Sequence, residues 1–201
     1  MVLFVFPLVV YLFFASGVNH FAKLPVLTQN VAEIGQYSDA QFKDRITILG
    51  FFGNTLQDKK GLALNLNQKI YKRFYQFTDF QFLIVLPEGT EEQAKALKAE
   101  LEGTTGTDMS RWNVVFLTPE HIEAVFGSLY LPLELDQNLA NPYVFIIDRD
   151  GNLRGRDDDS FVGYDARSVA DINNNMVDDV KVILAEYRLA LKKYNKDINS
   201  Q

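Results

Sequence analysis

Short, nearly uncharged apolar runs alternate with amphipathic helical stretches along this chain, and that alternation restricts it to an α/β layout. Residues 45–52, RITILGFF, are apolar and β-branched and read as a buried strand. Leu62, Leu66, Ile70, Phe74 and Phe77 then recur at three- and four-residue spacing, with Lys69, Lys72 and Arg73 mostly off that face, which predicts a helix over 62–77. Residues 80–86, FQFLIVL, read as a second buried strand closed by Pro87. Thr90 and Gln93 have the spacing of a capping box, and Ala94, Leu97 and Leu101 line the inner side of a helix to about residue 102. A polar loop from Gly103 to Ser110 leads to a third strand at 112–117, WNVVFL. Thr118 reads as an N-cap with Pro119 in the first helical position, and Ile122, Val125, Phe126 and Leu129 give that helix one apolar face.

A proline-containing loop at 131–141 precedes NPYVFIIDRDGNLRGR. Here residues 143–147 read as a buried strand and Asp150-Gly151 as a hairpin turn. Residues 152–156 read as the returning strand, exposed through Arg154 and Arg156. A last helix from about 167 to 195 carries Val169, Ile172, Met176, Val180, Ile183, Tyr187, Leu191 and Tyr194 on one stripe. The order βαβαβα, hairpin, helix predicts a mostly parallel sheet with helices on both faces and the hairpin as an antiparallel edge. Tyr71, Phe74, Tyr75, Phe77, Phe80 and Phe82 read as core where helix turns into strand, with a partner groove as the alternative.

The chain has 201 residues, enough for one domain or at most two with a core that needs no staples. It contains no cysteine, which excludes disulfides, thiol nucleophiles and cysteine-ligated metals. His20 and His121 are its two histidines, so a histidine-only metal site would need outside ligands. A formal charge of −6 argues against a nucleic-acid binder.

Residues 2–18, VLFVFPLVVYLFFASGV, carry no charge and as a helix span roughly 26 Å. They read as a signal anchor placing the chain on a membrane. A signal peptide cleaved near Ala15-Ser16-Gly17 and a buried core segment are the alternatives.

Several motifs resemble the thioredoxin-like superfamily. Strand, helix, strand, and later proline, strand, turn, strand and helix follow its plan from Ile46 to about Tyr194. Residues 88–130 fit the additional elements of peroxiredoxin-like and Sco/SenC-like relatives. Gly50 to Gly61, GFFGNTLQDKKG, is similar to the Sco/SenC segment F-x-x-T-x-C-x-x-x-C. Phe52 and Thr55 match it, while Gln57 and Gly61 stand at the two cysteine positions. A histidine that precedes the later strand in that family has no counterpart in Leu139-Ala140-Asn141. Pro142 to Gly151 is similar to the P-x-x-x-x-I-D-x-x-G run of membrane-bound thioredoxins, and the resemblance implies a cis Asn141–Pro142 bond.

The resemblance implies an anchor over residues 1–19, a linker and N-terminal extension over 20–44, a thioredoxin-like domain over 45–195 and a tail over 196–201. It also implies a bacterial inner-membrane protein with its domain in the periplasm. With the redox pair and copper ligands missing, the expected role is non-catalytic binding or assembly of another cell-envelope protein, with no cofactor. A Sco- or peroxiredoxin-type redox or copper protein is the first alternative, and a divalent-cation-responsive module the second.

Expected binding residues are Asn54, Thr55, Gln57 and Asp58 in the loop, with Asn141 and Pro142 beside it; a purely structural loop is the competing reading. Arg154, Arg156 and Arg167 are expected to form an ion-pair network with Asp157, Asp158 and Asp159, a partner surface being the alternative. The acids from 155 to 179 could instead hold Ca²⁺ or Mg²⁺. Asp148-Arg-Asp150-Gly-Asn152 superficially matches an EF-hand, but its glycine is at loop position 4 where an EF-hand needs it at 6, so a hairpin turn is expected. Asn173, Asn174 and Asn175 are weak helix formers, which hints at tertiary contacts by their amides.

Overall fold

The computed structural model describes residues 23–157 and 163–198, with side chains to residue 190. The central strands are apolar because each is covered on both faces. β2 (Ile46–Phe52) and β3 (Phe80–Pro87) are buried at every position, and β4 (Trp112–Leu117) at every position or in part. They form a parallel ladder, with Ile48 opposite Phe82 and Ile84 opposite Val114.

β5 (Ala140–Ile147) pairs with the other side of β2 in the antiparallel sense, Leu49 facing Phe145. β6 (Leu153–Arg154) returns beside β5, and β1 (Val26–Thr28) lies beyond it. A two-residue β7 (Tyr164–Asp165) also pairs with β5. The order is therefore β1-β6-β5-β2-β3-β4. The sheet is mixed, with two parallel and four antiparallel pairings among the described strands, where a mostly parallel one was expected, and the hairpin is not its edge. β5 needs cover on both faces, which an interior place supplies. The edge falls to β1, from the segment read as linker, which also buries Val31, Ile34 and Phe42 against one face.

The helices split between the faces as expected. On one face lie α1 (Lys60–Leu66) and α2 (Lys72–Phe74), joined by a π-turn at Asn67–Tyr71. With them lie α3 (Glu91–Thr105) and the long α6 (Val177–Ile198). The other face holds α4 (Pro119–Gly127) and the 31–42 segment. α5 (Val169–Asp171) leads through a π segment, Ile172–Met176, into α6.

Most of the predicted apolar stripes are buried, among them Leu66, Ile70, Phe74, Ile122, Val125, Ile172, Met176, Val180 and Ile183. Trp112 stacks on Phe82 at 4.6 Å and Tyr71 meets both rings edge-on. Phe77 departs from the stripe and is 44% exposed, because the helical run ends at Phe74; Val169, before the first full turn, is exposed as well. Thr90 makes no capping box: its hydroxyl donates to the Pro87 carbonyl at 2.7 Å, and it is Glu91 that accepts an N–H, from Gly89. α3 runs on past residue 102 to Thr105, where Gly106 in the left-handed region ends it. Thr118 caps α4 as read.

Asn141–Pro142 is trans, as are the other described peptide bonds. Asn141 lies inside an extended strand, the backbone region a residue before proline favours. Residues 2–18, on which the anchor reading rests, lie outside the described residues; among the described residues no helix is long and apolar enough to cross a membrane.

Candidate binding site at the strand-to-helix loop

The loop after β2 begins at Gly53, with φ +70°. A side chain there would collide with the Asn138 carbonyl and lie 2.8 Å from the Ala140 Cβ, so glycine is needed for the approach as well as for the turn. The Asn54 N–H donates to the Asn138 carbonyl at 3.1 Å. The loop is thereby fastened to the residues that lead into β5. Asp136 holds the other side: its carboxylate accepts the N–H groups of Asn138 (2.8 Å) and Ala140 (2.9 Å), supporting Leu139 at φ 61°. Sequence reading missed Asp136. An aspartate two residues before an asparagine is a turn signal, but nothing local says which loop the turn meets.

Beyond Asn54 the chain enters a 3-10 turn, Leu56–Lys59, anchored by the buried Leu56, with the Asp58 N–H donating to the Thr55 carbonyl at 3.2 Å. Asn54, Gln57 and Asp58 are exposed, and Thr55 is half-buried. Gly61 borders a cleft of ≈ 270 Å³ between α1 and α3, beside the Lys60–Glu100 ion pair at 2.6 Å.

The proline side is less free than expected. Asn141 is buried, and its amide is committed: Nδ2 donates to the Glu134 carbonyl and Oδ1 accepts the Tyr143 N–H, each at 2.9 Å. It braces the strand entry and does not point to a ligand. Pro142 is half-buried, and its carbonyl accepts the Ala166 N–H at 3.0 Å. Of the expected binding residues, Asn54, Gln57 and Asp58 are exposed, Thr55 and Pro142 are half-buried, and Asn141 is buried.

Among the described residues each of the three arginines pairs with a different carboxylate set. Arg154 was expected on the surface; it is 5% exposed and bonded to Asp148 (3.0 Å), Glu186 (2.7 Å) and the Leu24 carbonyl. The N-terminal segment and α6 cover the hairpin, which the hairpin's own sequence does not reveal. Arg156 grips Asp179 through two bonds, 2.9 and 3.2 Å, and the Asn175 side chain at 3.0 Å. Arg167 pairs with Asp165 at 2.8 Å near the surface, which holds that carboxyl below its ordinary value. Asp157 is exposed, while Asp158 and Asp159 lie outside the described residues.

The Tyr164 hydroxyl donates to Asp179 at 2.9 Å, and burial followed by that negative charge pushes the phenol far above its ordinary value. Asn175 accepts from Arg156, the expected kind of tertiary contact, and donates to Asp171 at 2.6 Å one turn back, whereas Asn173 and Asn174 bond to each other. Asp148 accepts the Asp150 and Asn152 N–H groups, each at 2.9 Å, the geometry of a hairpin turn.

Chemically the loop's side chains can donate and accept hydrogen bonds, and none of them is a thiol. The copper expected of a Sco-type site does not fit: Gly61 has no side-chain donor atom, Gln57 offers only an amide, and no histidine stands in Leu139-Ala140-Asn141 at the entry to β5. Among the described residues no group of three or more His, Asp or Glu side chains is placed to hold a metal.

The sequence matches no family model and no curated protein. Its structure is similar to a SCO1/SenC family lipoprotein from Bacillus anthracis str. Ames (TM-score 0.50, 17% identity, 85% of this chain and 96% of that one). It is also similar to BsSco, a member of the Sco family of cytochrome c oxidase assembly proteins (TM-score 0.50, 12% identity, 79% and 94%). A thioredoxin family thiol:disulfide interchange protein from Chlorobium tepidum TLS aligns more loosely (TM-score 0.44, 22% identity, 78% and 97%). Architecture and the two Sco neighbours agree on the fold: the chain has a thioredoxin-like fold of the kind seen in Sco/SenC proteins, and it contains no cysteine.

Proposed function

We propose that this protein is a non-catalytic thioredoxin-like binding or assembly factor for another protein of the cell envelope, held at the membrane by residues 2–18. The observation that carries the reading is the junction at Gly53. The loop where relatives keep their thiols is still fastened to the strand entry before Pro142, yet the chain has no sulfur nucleophile to use there. A fold can outlast its chemistry, because function resides in the site and not in the scaffold. What the loop retains is an exposed set of amide and carboxylate groups on a base fastened by hydrogen bonds, suited to recognising polypeptide. The Bacillus anthracis neighbour is a lipoprotein, which is compatible with an envelope location.

The test is site-directed photo-crosslinking in the full chain in its native cells. A probe at Gln57 or Asp58 captures one discrete partner that a probe at Lys181, on α6, does not. Capture at neither loop position, or the same products at all three, overturns the reading. Thiol-disulfide reductase or peroxidase turnover by the purified protein above a buffer blank would favour the redox alternative instead.

A further inference from the structure

The far edge of the sheet, separated from β5 by β2 and β3, carries recognition chemistry of its own. β4 is the last strand on that side. The Phe82 N–H donates to the Arg111 carbonyl (2.9 Å) and the Glu88 N–H to the Leu117 carbonyl (3.1 Å). Along a strand, residues alternate between facing one neighbour and facing the other. Asn113 and Val115 therefore also turn their backbone groups toward β3, and Trp112, Val114 and Phe116 turn theirs outward. Trp112 is already occupied: its N–H donates to Met109 (3.1 Å) and its carbonyl accepts from the Lys98 ammonium (3.0 Å). Among the described residues nothing pairs with the outward N–H and C=O groups of Val114 and Phe116. Exposed edges of this kind invite an added strand.

Walls rise on both sides of this edge and enclose a groove of ≈ 870 Å³. One wall is α3, presenting Ala94, Lys95 and Lys98; the other is the 38–41 segment with Arg45 and Gln81. A single extended segment fits between such walls, whereas a second copy would bring its own walls against them. The lining cations Arg45, Lys95 and Lys98 outnumber Asp39 and Glu91, and Arg111 lines the adjoining recess, although the chain as a whole is at −6. A strand laid here would alternate its side chains between an apolar floor of Val114, Phe116 and Ala94 and a polar one. In the polar floor the Asn113 amide donates to Gln81 at 3.1 Å.

We propose that the β4 edge is a docking site for an extended acidic segment of a partner protein, which joins the sheet as a further strand. This site is independent of the Gly53 loop.

The probe is a blocked octapeptide alternating valine and glutamate, titrated into the full chain in detergent, with amide chemical shifts and fluorescence anisotropy as readouts. Expected are saturable binding in the micromolar-to-millimolar range, shifts centred on 112–116, and affinity about tenfold lower for a valine–lysine peptide. Val114→Pro should abolish binding with little change in melting temperature, because the N–H it removes has no partner in the domain and edge strands tolerate proline there. Lys95→Glu with Lys98→Glu should weaken binding about tenfold, and this variant decides the matter if the proline variant fails to fold. No saturation, equal affinity for the lysine peptide, shifts confined to 53–60, or peptide-independent dimer formation overturns the proposal.

Discussion

The guanidinium of Arg154 meets the carboxylate of Asp148 at 3.0 Å across the hairpin that Gly151 turns, and both side chains are almost fully buried. The same guanidinium reaches the Leu24 carbonyl, 130 residues away, and Glu186 on α6. One buried cation thus ties the N-terminal extension, the hairpin and the last helix together.

Arg154→Met is expected to destabilise the domain by ~3–5 kcal/mol, because Asp148 is left buried without its counter-charge. That lowers the melting temperature on the order of 10 °C. Calorimetry showing a loss under ~1 kcal/mol would mean the pairing does not hold these segments together.

Alkaline stability should depend on Tyr164. Its phenol, hydrogen-bonded to Asp179, keeps its proton in the folded state to far higher pH than in the unfolded chain, where the ordinary value is 10.0. Above that value the unfolded state releases a proton that the native state retains, so stability falls as pH rises. The contribution is fully present below pH 10.0 and is lost as pH climbs toward the folded value. Tyr164→Phe should cost ~1 kcal/mol at neutral pH and flatten the decline above it, as read from denaturant melts across pH. An unchanged alkaline slope would exclude Tyr164 as its source.

Gly53→Ala is expected to cost at least ~1–3 kcal/mol from the left-handed backbone alone, and more from overlap with the Asn138 carbonyl. Because the substitution separates the loop from the strand entry, crosslinking from Gln57 should also disappear. A stable variant that still crosslinks would show that the junction is not what presents the loop.

Gly61→Ala should act in the opposite direction. Gly61 sits in α1 where an added Cβ meets nothing within 4 Å, so alanine is expected to stabilise by ~0.5–1 kcal/mol. If crosslinking from Gln57 survives unchanged, Gly61 serves the site only by not being a ligand. If it is lost, a partner approaches the helix closely at that point.

Strands and helices were legible in the residues, because burial on one face or two writes a periodicity into the chain itself. Ile46–Phe52, Phe80–Pro87 and Trp112–Leu117 could be read to within a residue, and Thr118 announces its own helix. The absence of thiol chemistry was legible too, since it depends on composition alone. Other features depend on segments remote in sequence. Arg154 alternates outward along its strand and reads as exposed until Leu24 and Glu186 arrive to cover it. Asn141 reads as a free amide until Glu134 folds over it. Periodicity reports that a face is apolar or a side chain polar, and the tertiary structure decides which distant group meets it and so whether that side chain can serve a ligand or only the fold.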